Sequence, residues 1–336
     1  MRLGTRGSAL ALTQAGYVAD RLRSGQPGEV EIVTLTTSGD RAGNDTTDGD
    51  AAGSGAQSSG APADKSRWVD TIEQALLAGE IDLAVHSAKD VPGELAEGLV
   101  LLGAPARVSA EDVLCGAPSL QALAEGARIG TSSVRRAAQL RAAREDLRVV
   151  AIGGNVDTRL RRLGESGRRA ERLEKGGEGS GEDALHAIVL ARAGLVRLGR
   201  EEEVGAVLDP VRFVPAPGQG VLALQGRAED ARVKEAVAAI TDADTFACLQ
   251  AERAVASGLG ASCHTPLGAH ATPAGCGCLT LRAWVGLPDG SEWCGDELLG
   301  GFYDPVALGL RVAERMQAVG AQELLRRAQE MAVEHA

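Results

Sequence analysis

The chain has 336 residues, of which 44% are hydrophobic and 24% charged, a composition typical of a soluble globular protein with two or three domains. Its net charge of −11 argues against a general nucleic-acid surface, but it does not exclude local basic pockets. No run of residues approaches the roughly 18 apolar residues of a membrane span, and MRLGTRGSALALTQ lacks the apolar region of a secretory signal. We therefore predict a cytoplasmic protein with neither a nucleic-acid nor a membrane partner.

The first third of the chain alternates helices and strands. Apolar residues at helical spacing predict helices over residues 9–22 and 67–77. VEIVTL (Val30–Leu35), IDLAV (Ile81–Val85) and LVLLG (Leu99–Gly103) are typical of strands. This alternation indicates an α/β layer with much parallel pairing.

Two stretches interrupt this pattern. Residues 41–64 contain no Val, Ile, Leu, Met or aromatic residue, so they cannot bury enough surface to offset the entropy of ordering. They predict a long mobile loop. Residues 164–183, which end in KGGEGSGED, predict a second soft stretch.

A second α/β unit begins near residue 105. ARIG, LRVVAIGG and ALHAIVLA predict strands, whereas TSSVRRAAQLRAAR and NVDTRLRRLG predict helices, the first with Thr131 or Ser132 as its N-cap. VPAPGQG (Val214–Gly220) is typical of a hinge, and the chain could return there to the first unit.

The last third is of a different type. A helix is predicted over Asp244–Ser257, and LTLRAWVG with DGSEWCGD predicts an antiparallel hairpin. Asp304 and Pro305 are typical of a helix start, and helices follow with an interruption near Gly320. These elements predict a small α+β domain.

Six cysteines are present, and in a cytosolic chain they are more often reduced than paired. Cys276, Cys278 and Cys294 lie near enough in sequence to suggest zinc, but a structural zinc site usually needs four ligands. Cys263 or His264 would have to complete the set. Free thiols in strands and loops are the simpler interpretation, and no metal is predicted.

Several arginines follow strands or open helices in the α/β units. Helix N-termini and guanidinium groups together make strong sites for carboxylate or phosphate. A solvated basic face would explain any one of these arginines as well, but several at strand ends favour a small polyanionic ligand. GxxxxGK[ST] and a helix-opening GxGxxG are absent, so a nucleotide loop is not indicated. The arginines are Arg6, Arg135, Arg136, Arg159 and Arg197.

Two further residues are candidates for chemistry. Asp90 follows a buried strand, next to Lys89 and near His86, and could be an acid/base or cation-stabilising group. Asp-Val-Pro could equally be a plain turn. Cys263 lies in the Gly/Ser-rich loop GLGASCHTPLG, where a ligand could reach the thiol, whereas a structural cysteine is more often embedded in an apolar run.

The chain resembles the porphobilinogen deaminase (hydroxymethylbilane synthase) family in seven motifs that follow the family's order and cover nearly the whole sequence. They are GTRGSALALTQA (4–15), AVHSAKDVP (84–92), GTSSVRR (130–136), GNVDTRL (154–160), IVLARAGLVRLG (188–199), PAPGQG (215–220) and CHTPLG (263–268).

The resemblance implies an α/β fold of two domains, like those of periplasmic anion-binding proteins, around a cleft. A smaller C-terminal α+β domain would carry a covalent dipyrromethane cofactor on Cys263, and the protein would be a monomer. The expected domains are residues 1–100 with 217–238, residues 105–213, and residues 243–336.

The resemblance also implies an activity. The enzyme would condense four porphobilinogen molecules on the cofactor, with loss of ammonia, and then release hydroxymethylbilane by hydrolysis. Asp90 would be the catalytic residue. The other cofactor-binding residues would be Lys89, Ser87, Thr131, Ser132, Ser133, Arg135 and Arg136. The substrate-binding residues would be Arg6, Ser8, Lys65, Arg159, Arg197 and Gln219.

The sequence departs from the family pattern in two places. Lys65 lies in ADKSRWVDT, which lacks the glycines of the family's lysine loop, and Gly153 stands where an arginine is usual. Because these changes remove expected contacts to carboxylates, a non-catalytic protein that binds small polyanions on the same scaffold remains the alternative.

Overall fold

A computed structural model gives the fold of the chain. It describes residues 1–25, 29–36, 66–174, 184–261, 265–275 and 277–334, with side chains except at 66–68, 169–174 and 332–334. The predicted loop at 41–64, Lys65 and Cys263 lie outside the described residues. None of the helices described is long and apolar enough to cross a membrane.

The regular elements are numbered along the chain. The strands are β1 (Arg2–Arg6), β2 (Glu31–Leu35), β3 (Leu83–Ser87), β4 (Leu99–Gly103), β5 (Asp112–Cys115), β6 (Arg128–Gly130), β7 (Arg148–Val150), β8 (Ala187–Ala191), β9 (Ala206–Val207), β10 (Leu222–Arg227), β11 (Leu267–Gly275), β12 (Cys278–Gly286) and β13 (Trp293–Gly301). The helices are α1 (Ala9–Gly25), α2 (Ser66–Leu77), α3 (Val134–Ala143), α4 (Val156–Glu174), α5 (Arg192–Arg197), α6 (Ala231–Ala238), α7 (Ala243–Gly258), α8 (Pro305–Ala318) and α9 (Ala321–Glu334).

The first α/β unit is a five-stranded sheet in the order β2–β1–β3–β10–β4. β1 runs parallel to β2 and β3, whereas β10 is antiparallel to β3 and β4. Alternate residues of β3 face opposite sides, since Leu83 and Val85 pack with α1 and α6 whereas Ala84 packs with α2. Both faces of the sheet are therefore covered by helices.

The second α/β unit repeats this arrangement in the order β7–β6–β8–β5–β9. β6 runs parallel to β7 and β8, and β5 is antiparallel to β8 and β9. Leu140 of α3 lies in the apolar cluster on one face, and Leu160 of α4 lies in the cluster on the other. The two units therefore share one strand pattern.

The chain crosses between the two units twice. Residues 104–111, the first crossover, lead from β4 into β5, and residues 208–221, the second crossover, lead from β9 back into β10. Each crossover thus ends in the antiparallel strand of the sheet that it enters. The hinge predicted at 214–220 lies in the second crossover.

The third unit is a three-stranded antiparallel sheet in the order β11–β12–β13, and α7, α8 and α9 contribute to one apolar core with β12. The predicted hairpin is the β12–β13 pair. β11 was not predicted, because LGAHATPAG mixes glycine and proline with its apolar residues. The fold-class prediction of two α/β units and a smaller α+β unit is confirmed, and the predicted domain limits stay a prediction.

Two helix ends differ from their predictions. α3 begins after Ser133, whose hydroxyl accepts a hydrogen bond from the Arg136 amide at 3.4 Å, so neither Thr131 nor Ser132 is its N-cap. α4 continues to Glu174 through the first part of the predicted soft stretch, because its Ala, Leu, Glu and Arg residues outweigh its two glycines.

The register of the β12–β13 hairpin separates two cysteines that could have shared a metal ion. Cys278 pairs with Gly301, and Cys294 pairs with Val285. The pairs are seven positions apart (278 to 285), which is roughly 23 Å at about 3.3 Å per residue. The zinc alternative is therefore wrong in the form that uses both thiols.

Glu252 of α7 is fully buried and joins the three units. Its carboxylate pairs with Arg107 of the first crossover at 2.7 Å and accepts hydrogen bonds from the amides of Gly218 at 2.6 Å and Ala271 at 2.8 Å. Arg107 also donates to the carbonyl of Gln219 at 2.8 Å. One carboxylate therefore connects both crossovers to the C-terminal unit.

We expect Glu252→Gln to lower the free energy of unfolding by about 3–5 kcal/mol, because it leaves the largely buried Arg107 guanidinium without its counter-charge. Urea denaturation followed by circular dichroism measures this loss. The matched control is Glu323→Gln, which removes one partner of an exposed pair with Arg326 and should leave stability close to that of the wild type. Equal effects of the two substitutions would contradict the role of Glu252 in joining the units.

Candidate active site

The end of β3 brings polar side chains to the boundary between the two α/β units. After Ser87 the chain makes a 3₁₀ turn over Ala88–Asp90. Ala88 is buried and anchors this turn, whereas Lys89 and Asp90 are half-buried. The Ser87 hydroxyl is held by the side-chain amide of Gln14 on α1, with a distance of 3.0 Å from the Gln14 nitrogen.

A chain of buried hydrogen bonds starts at His86. Its Nε2 lies 2.9 Å from Gln225 Oε1, and Gln225 Nε2 donates to Glu73 Oε1 at 2.6 Å. Because the Gln225 side-chain nitrogen faces the Glu73 carboxylate, its oxygen faces His86 and accepts a hydrogen bond from the Nε2–H group. Burial lowers the pKa of His86 to about 4, although the Gln225 acceptor and the charge of Asp90 act in the opposite direction. His86 is therefore neutral at neutral pH.

Arg6 is the last residue of β1 in the first unit, and Ser8 directly precedes α1. The charge of Arg6 helps to lower the pKa of His86, so the Arg6 guanidinium acts on the same region as Asp90. The Ser8 hydroxyl accepts a hydrogen bond from the Ala11 amide at 3.3 Å and so supports the first turn of α1.

The second unit contributes the residues between β6 and α3. Each hydroxyl there makes a local hydrogen bond. Thr131 Oγ1 accepts from the Ser133 amide at 3.2 Å, Ser132 Oγ donates to the Ile152 carbonyl at 2.6 Å, and Ser133 caps α3. Thr131 is buried, whereas Ser132 is exposed.

Arg135 and Arg136 lie on the first turn of α3 and form ion pairs with Asp112 at 2.9 and 2.7 Å. The Gln219 amide also donates to this carboxylate at 2.8 Å, and all four side chains are buried. The two guanidinium groups and the Gln219 amide hold the pKa of Asp112 well below its ordinary value, against the opposing effect of burial. The structure thus pairs two predicted cofactor ligands with an acidic residue that the sequence analysis missed.

Arg159 and Arg197 are different, because their guanidinium groups donate to backbone carbonyls. Arg159 Nε donates to Gly154 at 2.8 Å, and Arg197 donates to Gly220 at 2.7 Å. Within the described part of the chain, neither has a carboxylate at ion-pair distance. Burial lowers the pKa of each to about 10, so both stay charged at neutral pH.

A small cavity lies where the two units and the second crossover meet. Its volume is about 30 Å³, room for a water molecule. The first unit contributes Ser87 and Lys89 to the lining, the second unit contributes Arg197, and the crossover contributes Gly218 and Gly220.

Asp90 lies within electrostatic range of both units. Its negative charge partly offsets the lowering, caused by burial, of the pKa of His86 on its own unit and of Arg159 on the other. The structure therefore brings one group of predicted site residues to a common boundary: Arg6, Ser87, Lys89, Asp90, Arg159 and Arg197. It places Gln219, Arg135 and Arg136 in the buried network of Asp112, and Cys263 and Lys65 lie outside the described residues.

The donor set at this boundary suits a ligand that carries several carboxylates. Guanidinium groups bind carboxylates through charge-assisted hydrogen bonds. Asp90 adds one acceptor among these donors, which fits the N–H group of a pyrrole. A dipyrromethane with acidic side chains therefore fits the residues present. The fold and the described part of the site define a two-lobed α/β protein with several cations around Asp90 at the boundary between the lobes.

Comparison with known proteins agrees with this class. The family description "Porphobilinogen deaminase, dipyromethane cofactor binding domain" matches residues 1–235, and "Porphobilinogen deaminase, C-terminal domain" matches residues 246–318. The porphobilinogen deaminase of Deinococcus radiodurans is 43% identical over 327 residues, which cover 96% of this chain and 97% of the relative. The porphobilinogen deaminase of Trichlorobacter lovleyi is 40% identical, with 97% and 95% covered. The chain belongs to the porphobilinogen deaminase family.

Solved structures give a weaker likeness. Immunogenic lipoprotein A from Vibrio vulnificus aligns with a TM-score of 0.39 at 13% identity, covering 73% of this chain and 96% of that one. A score this low supports no conclusion about fold or ligand.

We expect His86→Gln to change how stability depends on pH. The pKa of His86 is about 4 in the folded protein and near 6.5 in the unfolded chain. The unfolded state therefore takes up the proton first, and the wild type loses up to about 3 kcal/mol as the pH falls through this window. The variant lacks this loss, so the stability difference between wild type and variant should shrink towards pH 4.

Urea titrations at neutral and acid pH measure this difference. The control is His186→Gln, because His186 is exposed. That variant should follow the wild type at both pH values. A His86→Gln deficit that stays constant between the two pH values would contradict a neutral, buried His86.

Proposed function

We propose that this chain is a transferase that condenses four porphobilinogen molecules head to tail and releases hydroxymethylbilane. The observation that carries the proposal is the position of Asp90. It is a half-buried carboxylate on one unit, in electrostatic range of Arg159 on the other. A catalytic cleft for a cationic transition state and an anionic substrate needs both features. Family membership supports the same reaction.

In each round the C–N bond of the aminomethyl group breaks and ammonia leaves. A C–C bond forms between that methylene carbon and the free α-carbon at the end of the pyrrole chain, which gives up its proton. The bound dipyrromethane supplies the first free α-carbon. Asp90 stabilises the positive charge that develops on the substrate pyrrole and accepts a hydrogen bond from its N–H group. Because His86 is neutral, it does not compete for the Asp90 carboxylate as an imidazolium would.

The cations of the cleft would bind the acetate and propionate groups of the growing chain. Arg159 and Arg197 suit this role best, because their described contacts are with carbonyls and their charge is not cancelled by a carboxylate. We propose the same role for Arg6 and Lys65, with Ser8 and Gln219 supporting the substrate site. For the cofactor we propose Lys89 and Ser87 on one side of the cleft, and on the other side Thr131, Ser132, Ser133, Arg135 and Arg136.

Cys263 would attach the dipyrromethane through a thioether. Its neighbours support this placement, because the Cys263 loop connects α7 to β11. The Ala269 amide in β11 donates to the Pro215 carbonyl of the second crossover at 2.9 Å. In sequence, Cys263 therefore lies between two elements, α7 and β11, that both contact the second crossover, and Gly218 and Gly220 of that crossover line the small cavity between the α/β units.

We also propose that the protein acts as a monomer in the cytoplasm, with porphobilinogen as its partner and no nucleic acid. The net charge of −11 supports the last point. The buried thiols Cys115 and Cys248, which are not in disulfides, are consistent with a reducing compartment.

We expect the intact mass of the purified wild type to exceed the mass of its sequence by one dipyrromethane. Cys263→Ala should lack this increment, because the thioether cannot form. Cys294→Ala is the matched control and should keep it, since Cys294 lies on a separate element, β13. A wild type that stays unmodified after incubation with porphobilinogen would contradict the proposal and favour a binding protein.

We expect Asp90→Asn to lower kcat by about 10²–10³-fold, because it removes the charge that stabilises the cationic transition state. Formation of the tetrapyrrole product, normalised to the holoprotein content, measures the change. Asp20→Asn, at an exposed position on α1, should retain wild-type turnover. Turnover of Asp90→Asn within twofold of the wild type would exclude Asp90 as the catalytic carboxylate.

A further inference from the structure

Two arginines one turn apart on α4 reach back to the same backbone turn. Arg159 Nε donates to the Gly154 carbonyl at 2.8 Å, and Arg162 Nη1 donates to the Gly153 carbonyl at 3.2 Å. These carbonyls are adjacent in the turn that follows β7, at the end of the second sheet. The two guanidinium groups are therefore held side by side.

The two charges lie close enough to repel each other. The charge of Arg162 helps to lower the pKa of Arg159, as does Arg136. Neither Arg159 nor Arg162 has a carboxylate at ion-pair distance among the residues described. Of the acidic residues near them on the helix, Asp157 pairs instead with Arg200 at 3.0 Å, and Glu165, three residues after Arg162, is exposed. Paired cations without a counter-ion cost free energy that a bound anion would recover.

The turn is also open to a ligand. Gly153 and Gly154 are exposed, and a Cβ placed on Gly153 would meet no atom within 4 Å. Arg162 is exposed, whereas Arg159 is half-buried and acts on Asp90. The pair therefore extends from the candidate active site towards solvent over an open surface.

We propose that Arg162, together with Arg159, forms a carboxylate subsite for an acetate or propionate group of the pyrrole chain. Two guanidinium groups held by adjacent carbonyls keep further N–H donors available for a carboxylate. Arg162 is a binding residue in this proposal and takes no part in breaking the C–N bond. The proposal rests on the proposed function and adds a residue that the sequence analysis missed.

The test compares Arg162→Ala with Arg161→Ala, its exposed neighbour on the same helix. We expect Arg162→Ala to raise the KM for porphobilinogen about tenfold or more, the usual effect of a lost charge-assisted contact, with kcat and Tm close to wild type. The KM of Arg162→Lys should lie between those of the wild type and Arg162→Ala, because lysine keeps the charge but not the guanidinium fork. A KM for Arg162→Ala within twofold of that for Arg161→Ala would overturn the proposal.

Calorimetric binding of porphobilinogen to the holoproteins is the second readout. A wild type that binds porphobilinogen but forms no tetrapyrrole would contradict the proposed function, and weaker binding by Arg162→Ala would still support the subsite. Equal binding by Arg162→Ala and Arg161→Ala would overturn the subsite while leaving the enzyme assignment intact. A wild type that neither binds nor converts porphobilinogen would overturn both.

Discussion

Two buried carboxylates hold the second crossover, and the candidate active site depends on that segment. The side-chain amide of Gln219 donates to Asp112 at 2.8 Å. The backbone carbonyl of Gln219 accepts a hydrogen bond from Arg107, which pairs with Glu252. A buried charge that loses its partner costs several kcal/mol, so neither carboxylate can separate cheaply from these contacts. The connected contacts run from the C-terminal unit through both crossovers to α3, and thus fix how the two lobes face each other.

This arrangement divides the cleft arginines into two groups. Arg135 and Arg136 share the single negative charge of Asp112, which holds both guanidinium groups at the start of α3. Arg159 and Arg197 are held by backbone carbonyls and, among the described residues, have no carboxylate at ion-pair distance. A site that binds several carboxylates needs both groups, because rigid positioning and uncompensated charge each contribute to binding.

Much of the secondary structure can be predicted from local sequence, whereas the ion pairs between distant residues cannot. Apolar runs and capping residues predicted most strands and helices, including the start of α8 at Asp304 and Pro305. The ion pair of Asp112 with Arg135 could not be predicted, since its partners are 23 residues apart (112 to 135) and have no spacing signature. Three successive hydroxyl residues made the N-cap of α3 ambiguous. The motifs predicted these cations as site residues, but not that Arg135 and Arg136 share the carboxylate of Asp112.

Stepwise growth of a pyrrole chain on the protein is the central prediction, and it follows from membership of the family. Intact mass spectrometry of the wild-type holoprotein, mixed with limiting porphobilinogen, measures it. We expect a series of species, each heavier than the last by one porphobilinogen less one ammonia. A holoprotein that keeps its mass while porphobilinogen is bound and recovered unchanged would contradict the account.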